Sequence, residues 1–93
     1  MPELLFHVRW PDGSTEACYS PSLVVAEHLE AGASYPVAEF VERARTALTI
    51  GSDRVEARFG FPCRNARRQL ASIEATAARL GDGGEVRVER FGA

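Results

Sequence analysis

Two cysteines and a histidine are the side chains of this sequence best suited to covalent or metal chemistry. In the favoured register of the first hairpin, His7 and Cys18 are cross-strand neighbours, on the face away from the apolar stripe of the first strand. A neighbouring imidazole lowers the pKa of a thiol or shares a metal ion with it. Cys63 lies in the first turn of the last predicted helix, where free N–H groups and the helix dipole stabilise a thiolate. His7, Cys18 and Cys63 are therefore a candidate thiol or ligand site.

Each of these side chains also fits a purely structural role. Cys63 is in line with Ala66 and Leu70, which is typical of a small buried hydrophobic residue, and we favour that interpretation. His7 and Cys18 alone are too few ligands for a zinc site, and the segment with His28 would have to fold over them to supply a third ligand. No CxxC, HExxH, GxGxxG or P-loop pattern is present, and no third group is placed to orient a cysteine–histidine pair. We therefore expect no catalytic set, no metal and no cofactor, and we favour a protein that is not an enzyme; a small enzyme is a weaker alternative that only the two cysteines support.

Three arginines near the start of the same helix, Arg64, Arg67 and Arg68, are spaced to share one side. Arginine side chains beside free helix N–H groups bind phosphate or carboxylate, so these three are a candidate anion site. The alternative, which we favour, is a solvated helix face. A general nucleic-acid binder is not expected, because 11 basic residues against 13 acidic residues leave a net charge of −2.

Length and composition indicate one domain over residues 1–93. The 45% of hydrophobic and 26% of charged residues are typical of a globular chain. No apolar run approaches the ~20 residues of a membrane span, and the start lacks the features of a secretory signal. We therefore expect a cytoplasmic protein with no membrane partner, whose two cysteines remain reduced.

Hydrophobic periodicity predicts the elements that must position these side chains. In chain order they are strands over 4–10 and 15–19, an ambiguous segment over 23–29, a loop over 31–34, a helix from 36 that ends at 50–51, a short helix over 53–59, a helix over 62–80 and a strand over 85–91. The order β-β-α-α-α-β predicts an α+β fold with helices on one face of a small antiparallel sheet. That sheet has three strands, or four if 23–29 folds back as a strand, with the last strand beside the first. The helices should bury Phe40, Leu70 and Ile73.

The Pro-Asp-Gly turn of the first hairpin admits two registers. A loop of two or four residues pairs Phe6 with Tyr19 and Arg9 with Glu16, so that apolar side chains meet on one face. A three-residue loop with a glycine bulge instead places Val8 opposite Glu16. Because a one-residue slip exchanges the two faces of a strand, the pattern of side chains favours the first register.

Several segments, taken together, resemble one known family. They are Val-Arg-Trp-Pro-Asp-Gly (8–13), Cys-Tyr-Ser-Pro-Ser (18–22), Tyr-Pro-Val-Ala-Glu-Phe-Val-Glu (35–42), Ala-Leu-Thr-Ile-Gly-Ser-Asp-Arg-Val (47–55), Phe-Gly-Phe-Pro-Cys (59–63) and Gln-Leu-Ala-Ser-Ile-Glu (69–74). They resemble small bacterial nitrogen starvation response proteins encoded in nitrilase-containing gene clusters. The resemblance covers nearly the whole chain, and segment 18–22 is its most specific part. Family members commonly have serine after the cysteine that matches Cys63; Arg64 stands there instead, which weakens any mechanism built on a Cys-Ser pair.

The resemblance implies an accessory protein that works alongside a nitrilase, a radical enzyme and an acetyltransferase in nitrogen acquisition. Our first hypothesis is a non-catalytic interaction protein that forms a homodimer or docks on an enzyme of the cluster. The homodimer is expected because a three-stranded sheet leaves exposed edges. The alternative hypothesis is a small-molecule or metal binder that uses His7, Cys18 and Cys63.

Overall fold

A computed structural model describes residues 3–81 and 83–92 and shows an α+β fold, as expected. The elements are β1 (Leu4–Arg9), β2 (Thr15–Ser20), α1 (Val25–His28), β3 (Ser34–Pro36), α2 (Val37–Phe59), α3 (Arg64–Leu80) and β4 (Glu85–Phe91). Within the described ranges, no helix is long and apolar enough to cross a membrane.

The four strands form one antiparallel sheet in the order β2-β1-β4-β3, so the last strand does lie beside the first. The fourth strand is not the segment proposed for it: residues 23–29 contain the short helix α1. It is β3, which we expected to be a loop and the first helical residue. Tyr35 is buried opposite Val86, and this contact with β4 holds the three residues extended. The predicted order β-β-α-α-α-β therefore lacks one strand.

The register predicted for the first hairpin is wrong by one residue. Phe6 lies opposite Cys18 rather than Tyr19, and Val8 lies opposite Glu16. Arg9, which we paired with Glu16, lies opposite a threonine and forms an ion pair with Glu89 of β4 instead.

The turn chemistry explains this register. Trp10 and Ser14 close a three-residue loop through a hydrogen bond of 2.8 Å from the Trp10 N–H to the Ser14 carbonyl. Gly13 takes the left-handed conformation (φ 89°) that glycine adopts without strain. The Asp12 carboxylate accepts hydrogen bonds from the Ser14 N–H at 3.0 Å and hydroxyl at 2.6 Å. The bulged turn therefore wins over the register favoured by matching side chains.

Helix α2 is continuous, although we expected a break at residues 50–51 and a separate helix over 53–59. Gly51 lies on its buried side, where a Cβ would come within 3.0 Å of Pro21 Cγ. This glycine permits close packing against the segment after β2 and does not end the helix. The helix ends at Gly60, whose left-handed φ of 89° forms the C-cap.

The core lies between one face of the sheet and the helices α2 and α3. Phe6 and Val8 of β1 are fully buried there, and the Trp10 ring meets the Phe40 ring edge-on at 5.5 Å. Phe40 and Ile73 are buried as predicted. Leu70 is only partly buried, which corrects our expectation: it packs against the core and also lines a groove between α2 and α3.

Candidate functional site

His7 and Cys18 lie on opposite faces of the sheet. His7 is opposite Ala17 on the face away from the helices, and its Nε2 lies 2.6 Å from the Gly92 carbonyl oxygen. Cys18 points into the core beside Phe6. The prediction that the two are cross-strand neighbours is therefore wrong, and the physical reason is the one-residue shift that the bulged turn imposes.

Cys18 is fully buried, and its surroundings favour the neutral thiol. Burial raises the pKa of the Cys18 thiol far above its usual value, and the negative charge of Glu16 and a hydrogen bond to its carboxylate raise it further. Because the thiolate is the nucleophile and the metal ligand, this cysteine has the chemistry of an inert core residue.

Glu16 joins β2 to α3 through a hydrogen-bond network on the core side of the sheet. Its carboxylate accepts hydrogen bonds from Trp10 Nε1 at 3.1 Å and from Gln69 Nε2 at 2.9 Å. Gln69 Oε1 in turn accepts a hydrogen bond of 2.9 Å from the backbone N–H of Tyr19. One glutamine thus satisfies both a partly buried carboxylate and a backbone donor at the free edge of β2.

Cys63 lies at the N-cap of α3, one position before the first turn that we predicted. Its backbone N–H donates to Ser52 Oγ of α2 at 3.2 Å. Its half-buried thiol lies near the Tyr19 side chain, whose hydroxyl donates to Glu3 at 3.4 Å. Burial, the Cys63 thiol and the Glu3 carboxylate together raise the pKa of Tyr19 to about 12.

The three arginines of the candidate anion site divide between two surface depressions. Arg64 and Arg67 line an open groove of about 670 Å³ at the start of α3, together with Cys63. Arg68 lies on another side of the helix, in a shallower depression with Tyr19. All three arginines are exposed, and none forms an ion pair with any residue that the structure describes.

An exposed aromatic surface adjoins this groove, and sequence reasoning did not identify it. We name residues 54–68, the end of α2 and the start of α3, the hairpin tip, because they form the turn of the helical hairpin α2–α3; they are not part of the β1–β2 hairpin. Phe59 and Phe61 are 53% and 65% exposed there, and Phe61 lines the groove with Val55 and Pro62. Two phenylalanines that flank a glycine beyond the last buried residue of α2 were the available signal.

The hairpin tip is also the most basic part of the chain. Five of the 11 basic residues lie in it, against one acidic residue, Glu56. Arg58 lies over the Phe59 ring at 5.8 Å, and Arg54 donates to Ser22 Oγ at 3.4 Å. Within residues 3–81 and 83–92, no ion pair involves the five tip arginines.

The groove wall contains Cys63 but neither Cys18 nor His7, so the three residues of the candidate thiol site do not meet. In the part of the chain that the structure describes, no three or more His, Cys, Asp or Glu residues are grouped to hold a metal ion. An apolar groove beside unpaired guanidinium groups is suited to an apolar ligand that carries negative charge.

Comparison with known proteins identifies one family. The model of a family described as "Nitrogen starvation-induced protein NitG" matches residues 5–91. No curated protein and no solved structure matches the chain.

Proposed function

The chain belongs to the nitrogen starvation-induced NitG family, and from this premise we propose that it is a non-catalytic accessory protein that acts by binding another protein. The partner that we propose is an enzyme of nitrogen acquisition encoded in the same nitrilase-containing gene cluster. The family match supports the link to nitrogen starvation, and the surface of the molecule supports an interaction role.

The observation that carries this proposal is the hairpin tip. Phe59 and Phe61 are large apolar side chains, and each leaves more than half of its surface in water. Water-exposed aromatic side chains that lie together and are surrounded by polar groups mark interaction sites. Aromatic and arginine side chains are also the residues that contribute most to binding at protein interfaces.

The state of the two cysteines supports a role without covalent catalysis. Cys18 is enclosed in the core with a raised pKa, so it is a protonated thiol at neutral pH. Cys63 has the Tyr19 hydroxyl beside it, and this hydroxyl remains protonated because its own pKa is raised to about 12. Because the Cys18 thiol and the Tyr19 hydroxyl are both protonated, neither group acts as a general base towards a thiol at neutral pH.

Direct binding measurements test this function. The purified chain is mixed in turn with the purified nitrilase, the radical enzyme and the acetyltransferase of one gene cluster, and each mixture is examined by calorimetry and light scattering. We expect a complex of micromolar or tighter affinity with one of the three. Binding to none of them, or turnover of a nitrilase-type substrate by the isolated chain, would overturn the proposal.

A further inference from the structure

Building on the proposed interaction role, we infer that the hairpin tip binds a segment of a partner protein in which one aromatic or long aliphatic side chain is flanked by carboxylates. The apolar side chain enters the groove beside Phe61. The carboxylates pair with Arg64 and Arg67 on its wall. This inference names the docking surface and the chemistry of its occupant.

The shape and lining of the groove select an apolar side chain. Its volume of about 670 Å³ lies within the range of roughly 300–1,000 Å³ typical of ligand pockets. Val55, Phe61, Pro62 and Cys63 supply the apolar part of the wall. The Phe61 side chain, 65% exposed, loses contact with water when a second apolar group covers it.

The charge of the tip selects an acidic partner. Arg64 and Arg67 lie on the groove wall, and neither forms an ion pair with a described residue. A planar guanidinium binds a carboxylate through two parallel hydrogen bonds, which fixes orientation as well as affinity. A second copy of the same tip is a poor occupant. Each tip has five arginines and one glutamate, Glu56, so two tips would repel each other through their like charges.

The groove is held in place by contacts that do not involve the occupant. Gly60 ends α2 with its N–H bonded to the Glu56 carbonyl at 2.8 Å, and this cap sets the turn between the helices. The Cys63 N–H donates to Ser52 Oγ at 3.2 Å, which ties the start of α3 to α2. A surface that is already ordered loses little conformational entropy on binding.

Labelled synthetic peptides test the inference with the intact chain. The probe is a short peptide with one phenylalanine between two pairs of glutamates, and its two matched controls replace the glutamates by lysines or the phenylalanine by serine. Fluorescence anisotropy measures affinity, and amide NMR shifts locate the site. We expect the acidic phenylalanine peptide to bind at least about tenfold more tightly than either control and to shift amides within residues 54–68.

Chain variants separate the tip from the rest of the surface. Arg64→Glu and Phe61→Ser should each weaken peptide binding about tenfold. Arg87→Glu, the same charge change at an exposed strand position, should alter it less than about twofold. Circular dichroism of each variant verifies that it is folded. No preference for the acidic peptide, or equal losses in Arg64→Glu and Arg87→Glu, would overturn the inference.

Two further results distinguish this inference from its rivals and from the proposed function. Binding to phosphatidylglycerol vesicles without binding to the peptide would overturn it in favour of a membrane surface. A complex with a cluster enzyme that survives Arg64→Glu and Phe61→Ser would overturn the docking site and leave the proposed function standing. Peptide binding at the tip together with no enzyme complex would support the docking site and overturn the proposed function.

Discussion

Replacement of Glu16 by alanine tests both the register of the β1–β2 hairpin and the hydrogen-bond network that joins β2 to α3. The Trp10 side chain is 2% exposed, and Glu16 is the acceptor of its indole N–H. A buried donor left without an acceptor costs about 1–3 kcal/mol, and the loss of the hydrogen bond from Gln69, which like Glu16 is only half-buried, adds about 0.5–1.5 kcal/mol. We therefore expect Glu16→Ala to lower the free energy of unfolding by about 1.5–4.5 kcal/mol.

Urea titration followed by tryptophan fluorescence is the assay, because the chain has a single tryptophan and its indole is the donor in question. Glu16→Gln keeps an acceptor for Trp10 but places an amide N–H2 group among donors, so we expect a smaller loss than for alanine. Glu85→Ala is the matched control: it removes an exposed strand glutamate and should change the free energy by less than about 0.5 kcal/mol.

A double-mutant cycle then identifies the partner of Glu16. Glu16 and Gln69 should couple by at least about 0.5 kcal/mol, whereas Glu16 and Arg9 should be additive. The register favoured by side-chain matching would reverse this result, because it pairs Arg9 with Glu16 on the outer face. A loss below about 0.5 kcal/mol in Glu16→Ala, or coupling to Arg9, would refute the reasoning.

Further predictions concern the core, the thiols, one tyrosine and self-association. Ile73→Ala should cost about 2–5 kcal/mol in urea titration, and a larger loss from Leu70→Ala, which is only partly buried, would contradict this placement. A thiol reagent should modify Cys63 in the folded chain and Cys18 only on unfolding; equal rates would show that the core is open to solvent. Because the pKa of Tyr19 is raised to about 12, the folded chain retains this proton to higher pH than the unfolded chain. Its contribution to stability should therefore be lost as pH rises from the ordinary value of 10 towards 12, and Tyr19→Phe should remove that part of the pH dependence, as alkaline unfolding will measure. The homodimer remains a prediction, and a single-chain mass of 10.2 kDa by light scattering at micromolar concentration would reject it.

Local pattern was sufficient to predict the elements whose apolar side chains repeat clearly. The alternation in residues 4–10 and 85–91 and the stripe in 62–80 predicted β1, β4 and α3 within about two residues. Strand β3 was missed because three residues are too few for a period to appear. Its extended form depends on Tyr35 packing against β4, a contact that only the folded chain provides.

Two errors came from residues whose role is set by distant partners. Gly51 suggests a break in any local interpretation, yet it lies inside α2, where its missing side chain leaves room for Pro21. Glu16 looked like an outward-facing charge, but Gln69, more than fifty residues along the chain, makes the inner side of β2 acceptable for a carboxylate. The matching of apolar side chains across β1 and β2 takes no account of this hydrogen bond, and it therefore favoured the wrong register.

The same limit applied to the candidate site. The sequence placed Cys63 and three arginines at the start of one helix, and in the structure Arg64 and Arg67 line a groove with this cysteine. Phe59 and Phe61 flank a glycine in the sequence, but their exposure depends on how far α2 runs past the core, which local pattern does not show. The sequence therefore predicted the positive charge at the start of α3 but not the apolar wall of the groove.

The two edges of the sheet bear on how this chain meets another molecule. At the β2 edge, Gln69 already accepts a hydrogen bond from the Tyr19 N–H. Alternate residues of an edge strand point their backbone N–H away from the neighbouring strand, so the N–H groups of Ala17 and Thr15 are the next two at this edge. At the opposite edge, β3 has only three residues, and Pro36 has no N–H to donate. Edge pairing between two copies would therefore be short unless α3 releases β2. The hairpin tip has no such protection, since its phenylalanines lie in water and its arginines lack carboxylate partners among residues 3–81 and 83–92. The fold thus protects its strand edges more fully than the tip, which favours association through side chains over association by strand addition.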